Sequence, residues 1–216
     1  MTENKKAAKI LITAGPATTR LDTVRKITNH STGGLGRDLA LSALEAGHQV
    51  TLLRSRLCTV PPPPPACQRI DFTDIEELQD ALYRVAESSF DAVWHAAAVG
   101  DFLLYSATTG DGQVLESGSK WPSRIEQLVC TFKPAPKLIR LLPDLFPGAT
   151  RVGWKYATEG SLEELRRAAL EQIRENRTHL CIINGPAYGP GFGVCDATDG
   201  CTHVPDAFEL AQRLLE

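Results

Sequence analysis

No apolar run in this sequence approaches the ~20 residues needed to cross a bilayer, so no membrane-spanning helix is expected. The opening MTENKKAAKILIT lacks the apolar core and cleavage site of a signal peptide, and the cytoplasm is the expected compartment. Charge of one sign is scarce too. The 23 Lys and Arg against 26 Asp and Glu leave a formal net charge of −3, with the basic residues scattered. That gives no field to attract a polyanion and excludes an electrostatic nucleic-acid binder. The six cysteines (Cys58, Cys67, Cys130, Cys181, Cys195, Cys201) form no Cys-x-x-Cys and have no histidine pair nearby. They read as reduced thiols, and no metal ligands are assigned.

What is present suits a folded α/β protein. A chain of 216 residues, 43% hydrophobic and 23% charged, fits a single domain spanning 1–216. KILITA (9–14), closed by Gly15 and Pro16, reads as a buried strand entering a turn. Leu35, Leu39, Ala40, Ala43 and Leu44 recur at helical spacing, and Gly47 closes that helix. A second strand follows at 48–53. Helices at about 73–88, 135–142, 161–175 and 205–215 alternate with strands at about 91–97, 150–154 and 179–183. This alternation predicts a three-layer αβα fold with a doubly wound, mostly parallel, Rossmann-like sheet. Pro61 to Pro65 predicts a stiff surface connector, and the polar stretch 100–124 a flap insertion.

The turn before the first helix carries the strongest chemical signal. Gly33, Gly34 and Gly36 stand where backbone amides at a helix start can hold phosphate. A flexible turn with Ser31 or Thr32 as the helix N-cap fits the same residues. About eighteen residues separate Ala14 from Gly33, whereas a dinucleotide-binding turn places its glycines directly after the strand. No Walker lysine follows, since Arg37 and Asp38 occupy that stretch.

ITAGP (12–16), Asp22, VRKITNHSTGGLG (24–36) and GHQVTLL (47–53) together resemble the opening of the phosphopantothenoylcysteine synthetase family. AAAVGDF (96–102), KPAPKLI (133–139), VGWKYAT (152–158) and CIINGP (181–186) continue the likeness. The resemblance implies a ligase of coenzyme A biosynthesis, in which the carboxylate of 4′-phosphopantothenate attacks the α-phosphate of CTP or ATP and cysteine then displaces the nucleotide. It implies that Asn29 handles the acyl-nucleotide and that Lys120 neutralises the α-phosphate from the flap. Gly15, Ser31, Gly33, Gly34, Gly36, Ala97, Ala98, Asp101, Trp154 and Lys155 are then the nucleotide-binding residues. Magnesium is implied as the companion of the triphosphate, held mainly by phosphate oxygens. No flavin is expected without the family's decarboxylase domain, for which a separate protein is one candidate source, and a homodimer is expected by the same likeness.

The sequence departs from the family in two places. Lys120 stands alone where several lysines are usual, and Gln172 and Asn176 occupy positions where CTP-using bacterial members carry lysines. These departures admit a non-catalytic paralogue that binds nucleotide or a pantothenate-like ligand. A short-chain dehydrogenase-like NAD(P)-binding protein is a further alternative. It lacks its catalytic Tyr-x-x-x-Lys at Tyr83, Tyr105, Tyr156 and Tyr188.

Overall fold

In a computed structural model the structure describes residues 7–216; the first six residues, part of the start read for a leader, lie outside them. The chain runs β1 (Lys9–Ala14), β2 (Thr19–Arg20), β3 (Lys26–Ile27), α1 (Gly34–Glu45), β4 (Gln49–Ser55), β5 (Gln68–Phe72), α2 (Ile75–Val85) and β6 (Ala92–His95). It continues with β7 (Phe102–Thr109), β8 (Leu128–Pro134), a 3-10 turn (Leu138–Leu141) leading into α3 (Leu142–Leu145), and β9 (Thr150–Tyr156). It closes with α4 (Leu162–Asn176), β10 (Leu180–Asn184), β11 (Phe192–Asp196), β12 (Cys201–Val204) and α5 (Ala207–Leu214). No helix among the described residues is long and apolar enough to cross a membrane.

One eight-stranded sheet organises these elements in the order β12-β11-β10-β9-β6-β1-β4-β5. The six strands from β5 to β10 are parallel, and β11 and β12 return antiparallel at one margin. Strand side chains alternate between the two faces, and the core divides accordingly. Ile10, Ile12, Val50, Leu52, Trp94, Val152 and Ile182 meet Leu39 and Ala43 of α1 and Leu210 and Leu214 of α5. On the opposite face Leu11, Leu53 and Val93 meet Leu78 and Leu82 of α2 and Leu138 and Leu142. Cys181 and Ile183 extend that face under Leu165 and Ile173 of α4. The three layers expected from the sequence are therefore present.

Local chemistry sets the helix limits. The Asp74 side chain accepts from the Glu77 amide at 2.9 Å and caps α2, while the Glu77 carboxylate takes the Thr73 amide at 2.7 Å. Ser161 and Glu164 form the reciprocal capping box that starts α4. Gly47, at φ +84°, lets the chain leave α1 and enter β4.

Several expectations are corrected. The helix placed at about 135–142 is a 3-10 turn followed by one short turn of α3, because Pro134 and Pro136 hold their neighbours extended. The flap is larger than 100–124. Strands β7 and β8 pair antiparallel from Phe102 opposite Pro134 to Thr109 opposite Leu128, forming an arm with residues 110–127 at its tip. Ser31 does not cap α1: the cap position is Gly33, and the Thr32 hydroxyl accepts from the Gly34 amide at 3.2 Å. The cysteines are not all free thiols. Cys195 and Cys201 stand opposite each other in the β11/β12 hairpin, with Cα atoms 4.1 Å apart, and form a disulfide.

The tightest contact between α1 and the sheet is at Gly36. A Cβ built there would lie 2.3 Å from Ala14 Cβ and 3.2 Å from its Cα, so any side chain pushes the helix off β1. Gly36→Ala is expected to cost about 1–3 kcal/mol, the usual range for overpacking. Urea denaturation checks this as a lower midpoint at unchanged slope.

Candidate active site

The strand order reverses between β1 and β6, the point where a doubly wound sheet opens a crevice beyond its strand ends. Backbone bonds lace the two ends together: the Ala98 amide donates to the Gly15 carbonyl at 3.0 Å, and the Ala17 amide to the Ala98 carbonyl at 3.0 Å. Gly15 (φ +87°) and Gly33 (φ +78°) stand back to back over Cys58. A Cβ on either would come within 2.4 Å of the Cys58 sulfur, so the turn closes only with glycine at both places. The first turn of α1, with its unpaired amides and no acidic residue, therefore sits beside the crevice.

Asn29 reaches this seam. Its Nδ2 donates to the Ala98 carbonyl at 3.2 Å, which fixes the amide across the crevice and leaves Oδ1 as an acceptor. With Thr19, Ile27, Gly100, Asp101 and Phe132 it lines a cleft of about 260 Å³. A second cleft, about 350 Å³, lies beyond β6 and β9 and is lined by His95, Ala97, Lys137, Lys155, Gln172 and Asn176 among others. An ion pair between Asp101 and Lys137 joins one cleft to the other.

The structure thus brings together Asn29, Ala97, Ala98, Asp101 and Lys155. Trp154 also borders the second cleft, but its indole packs with the core beneath α1 and α5, and its carbonyl accepts from Gln172 at 3.3 Å. Gly36 is spent on packing against β1, the Gly34 amide is taken by Thr32, and Ser31 lines neither cleft. Lys120 is exposed on the arm tip and lines neither cleft. Gln172 and Asn176 are committed to local bonds, the latter donating to the Gln172 carbonyl at 2.8 Å. The cations of the second cleft are Lys137, Arg140 and Lys155. Lys137 was visible within KPAPKLI, but only the fold reveals its pairing with Asp101.

A second feature escaped sequence reasoning. The arm tip is anchored to the loop before α1 through Trp121, which is 1% exposed in an otherwise exposed stretch. The buried Asp22 carboxylate accepts from the amides of Trp121 (3.1 Å), Val24 (2.9 Å) and Arg25 (2.6 Å), and from the Arg25 guanidinium (2.8 Å). Burial pushes the Asp22 carboxyl up, but those amides and the Arg25 charge outweigh it and hold it below the ordinary carboxylate range. The latch is therefore charged at neutral pH, and it places Lys120 next to a fixed residue.

The chain as a whole is similar to known proteins of one family. The profile of the DFP family, the DNA/pantothenate metabolism flavoprotein C-terminal domain, matches residues 5–196. The chain belongs to this family. It is 32% identical over 177 residues to the coenzyme A biosynthesis bifunctional protein CoaBC of Thermococcus kodakarensis, covering 82% of this chain and 41% of that protein. The CoaBC protein of Escherichia coli (strain K12) is 39% identical over 186 residues, 85% of this chain and 43% of its own length. This family member thus spans about two fifths of those relatives. Among solved structures, the DNA/pantothenate metabolism flavoprotein from Streptococcus pneumoniae superposes with a TM-score of 0.85 at 25% identity, over 97% of both chains. A Cab2 mutant in complex with phosphopantothenate-cysteine shares the fold, with a TM-score of 0.77 at 17% identity over 96% of this chain and 85% of that one.

The latch yields a direct test. Trp121→Ala, or Asp22→Asn with its shape retained, is expected to free the arm tip and speed tryptic cleavage after Lys120 and Arg124 by at least about tenfold, as for a locally opened segment. Cleavage at the wild-type rate in both variants would show that these contacts do not restrain the tip.

Proposed function

We propose that residues 1–216 act as one synthetase-like domain joining 4′-phosphopantothenate to cysteine, as the ligase step of coenzyme A biosynthesis. Membership of the DFP family supports this reading, and the observation that carries it is Asn29 bonded to Ala98 at the seam between two clefts. A reaction between two anions needs one site for each and donors at their junction.

The chemistry proceeds in two balanced steps. A carboxylate oxygen of phosphopantothenate attacks the α-phosphorus of the nucleoside triphosphate, and pyrophosphate leaves. The cysteine amine then attacks the acyl carbon, forming the amide and releasing the nucleoside monophosphate and a proton. Asn29 donates to the oxygen that gains charge in these steps. Lys137, Arg140 and Lys155 offset the triphosphate charge, Asp101 and the Ala97–Ala98 backbone hold the nucleoside, and Lys120, outside both clefts while Trp121 is latched, neutralises the α-phosphate when the arm tip is released. Among the described residues no group of three or more His, Cys, Asp or Glu could bind a metal. Magnesium would enter with the triphosphate, held mainly by its phosphate oxygens. No electron is transferred, so the step has no use for a flavin.

CTP and ATP are both candidate co-substrates, since they carry the same triphosphate and differ only in the base. The setting is the cytoplasm. A homodimer fits the arm, whose Phe102, Tyr105, Val129 and Phe132 are exposed; a single species of about twice the chain mass in sedimentation would match it, and a monomer at micromolar concentration would not.

The Gln172 and Asn176 amides and the remote Lys120 favour one second reading, a paralogue that binds the nucleotide without ligation. Supplying 4′-phosphopantothenate, cysteine, magnesium and either CTP or ATP separates the two. The ligase releases pyrophosphate with one nucleotide preferred, whereas a sensor binds by calorimetry and releases none. Asn29→Ala is expected to slow pyrophosphate release by about 100-fold or more, the usual loss for a transition-state donor, with thermal unfolding unchanged. Unaltered kinetics would remove Asn29 from the chemistry.

A further inference from the structure

The floor of the second cleft holds a polar group that the reaction above does not use. His95, the last residue of β6, is 7% exposed, lies on the same sheet face as Thr13 and borders the cleft. Its Nδ1 is 2.9 Å from the Thr13 hydroxyl, which is fully buried. The direction of that bond follows from bookkeeping. The hydroxyl already accepts from the Ala97 amide at 3.1 Å, and among the described residues its only acceptor in reach is His95 Nδ1. The hydroxyl proton therefore goes to Nδ1, and a neutral ring that accepts at Nδ1 carries its own hydrogen on Nε2. Burial lowers the His95 pKa to about 4, so the ring is uncharged at neutral pH. The Nε2 hydrogen has no acceptor among the described residues.

Nε2 is not sealed in the core but opens on the cleft that His95 lines, so a bound acceptor there takes the place of water. We propose that His95 is a specificity-determining contact that donates its Nε2 hydrogen to an uncharged oxygen of the nucleoside, either a ribose hydroxyl or a base carbonyl. The proposal rests on reading the second cleft as the nucleotide site. The division of labour within the cleft supports the assignment. Lys137, Arg140 and Lys155 are cations suited to phosphate, whereas His95 at the floor has no charge to offer and suits an uncharged oxygen. Thr13 and Ala97 fix the tautomer, which couples recognition of the nucleoside to the same strand ends that carry Ala98 and Asn29.

Calorimetry on the full chain tests this with CTP, ATP, their 2′-deoxy forms and inorganic tripolyphosphate. His95→Phe fills the space without a donor and is expected to weaken the preferred nucleotide about 3- to 10-fold, the value of one neutral hydrogen bond. It should leave tripolyphosphate affinity unchanged, and His95→Gln, which retains an N–H donor, should recover most of the loss. Equal weakening of nucleotide and tripolyphosphate would mean that the substitution merely deforms the cleft, and an unchanged nucleotide affinity would likewise overturn the proposal. A 2′-deoxy penalty present in the wild type and absent in His95→Phe would assign the contact to the ribose; the same penalty in both would assign it to the base. If the wild type binds neither CTP nor ATP, the nucleotide reading itself falls and this contact with it. Independently of any ligand, long-range proton–nitrogen spectra should show Nε2 protonated and the ring neutral down to about pH 5. That measurement is made against the charged groups facing the ring, Lys137 and Arg140 from the turn after β8, Lys155 from β9, and Glu171 and Glu175 from α4. A ring protonated on Nδ1 would refute the assignment outright.

Discussion

The crevice opens where the ends of β1 and β6 are joined by backbone bonds that side chains of Thr13 and Asn29 reinforce. The Ala98 amide bonded to the Gly15 carbonyl and the Ala17 amide bonded to the Ala98 carbonyl, both at 3.0 Å, stitch neighbouring strands just beyond their regular pairing. The carbonyl of Ala98 also receives the Asn29 side chain. Everything chemically useful is placed from this seam. The glycine turn approaches Cys58 because Gly15 and Gly33 lack side chains, α1 can then start beside the seam, and Gly36 brings that helix onto Ala14. A backbone seam is a stiff support, since its geometry does not depend on rotamers, and Thr13 extends it to the floor of the neighbouring cleft.

Around this rigid centre the charged elements are held by side chains. Asp22 collects three amides and a guanidinium to keep the arm tip against the loop before α1, and Asp101 holds Lys137 at the junction of the two clefts. Both are ionic contacts, and the Asp101–Lys137 pair is largely exposed, so it is weak in stability terms and readily exchanged for a stronger anion. The frame is thus fixed by backbone, while the cation at the junction of the clefts is held only loosely.

Much of the frame was legible in the sequence because it is written in local pattern. KILITA, the helical spacing from Leu35 to Leu44 and Gly47 gave β1, α1 and the entry to β4 within a residue or two. What was not legible depends on partners distant in the chain. Gln68–Phe72 is short and half polar, and it is a strand only because β4 offers it an edge. The β7/β8 arm pairs residues 19 to 32 apart, and the β11/β12 hairpin sits in a polar stretch without helical or alternating periodicity. In the site, Asn29, Ala98 and Asp101 were identifiable from the family likeness. The pairing of Lys137, the anchoring of Trp121 and the orientation of His95 follow only from the fold. The cysteines were misread because a search for Cys-x-x-Cys passes over a pair six residues apart that a hairpin sets face to face.

That crosslink lies far from the crevice, yet it bears on the end of the chain. A staple closing so short a stretch restricts the unfolded chain only modestly, about 2 kcal/mol on the loop-entropy scale. Its larger effect is to stop the outermost strand from peeling away. Strand β12 leads into α5, and α5 lies against α1, covering Leu39 and Ala43 with Leu210 and Leu214. Fraying at this margin would unmoor the terminal helix and bare the outer side of the helix that opens at the glycine turn. One covalent bond at the sheet's edge therefore ties the strand from which the last dozen residues depart.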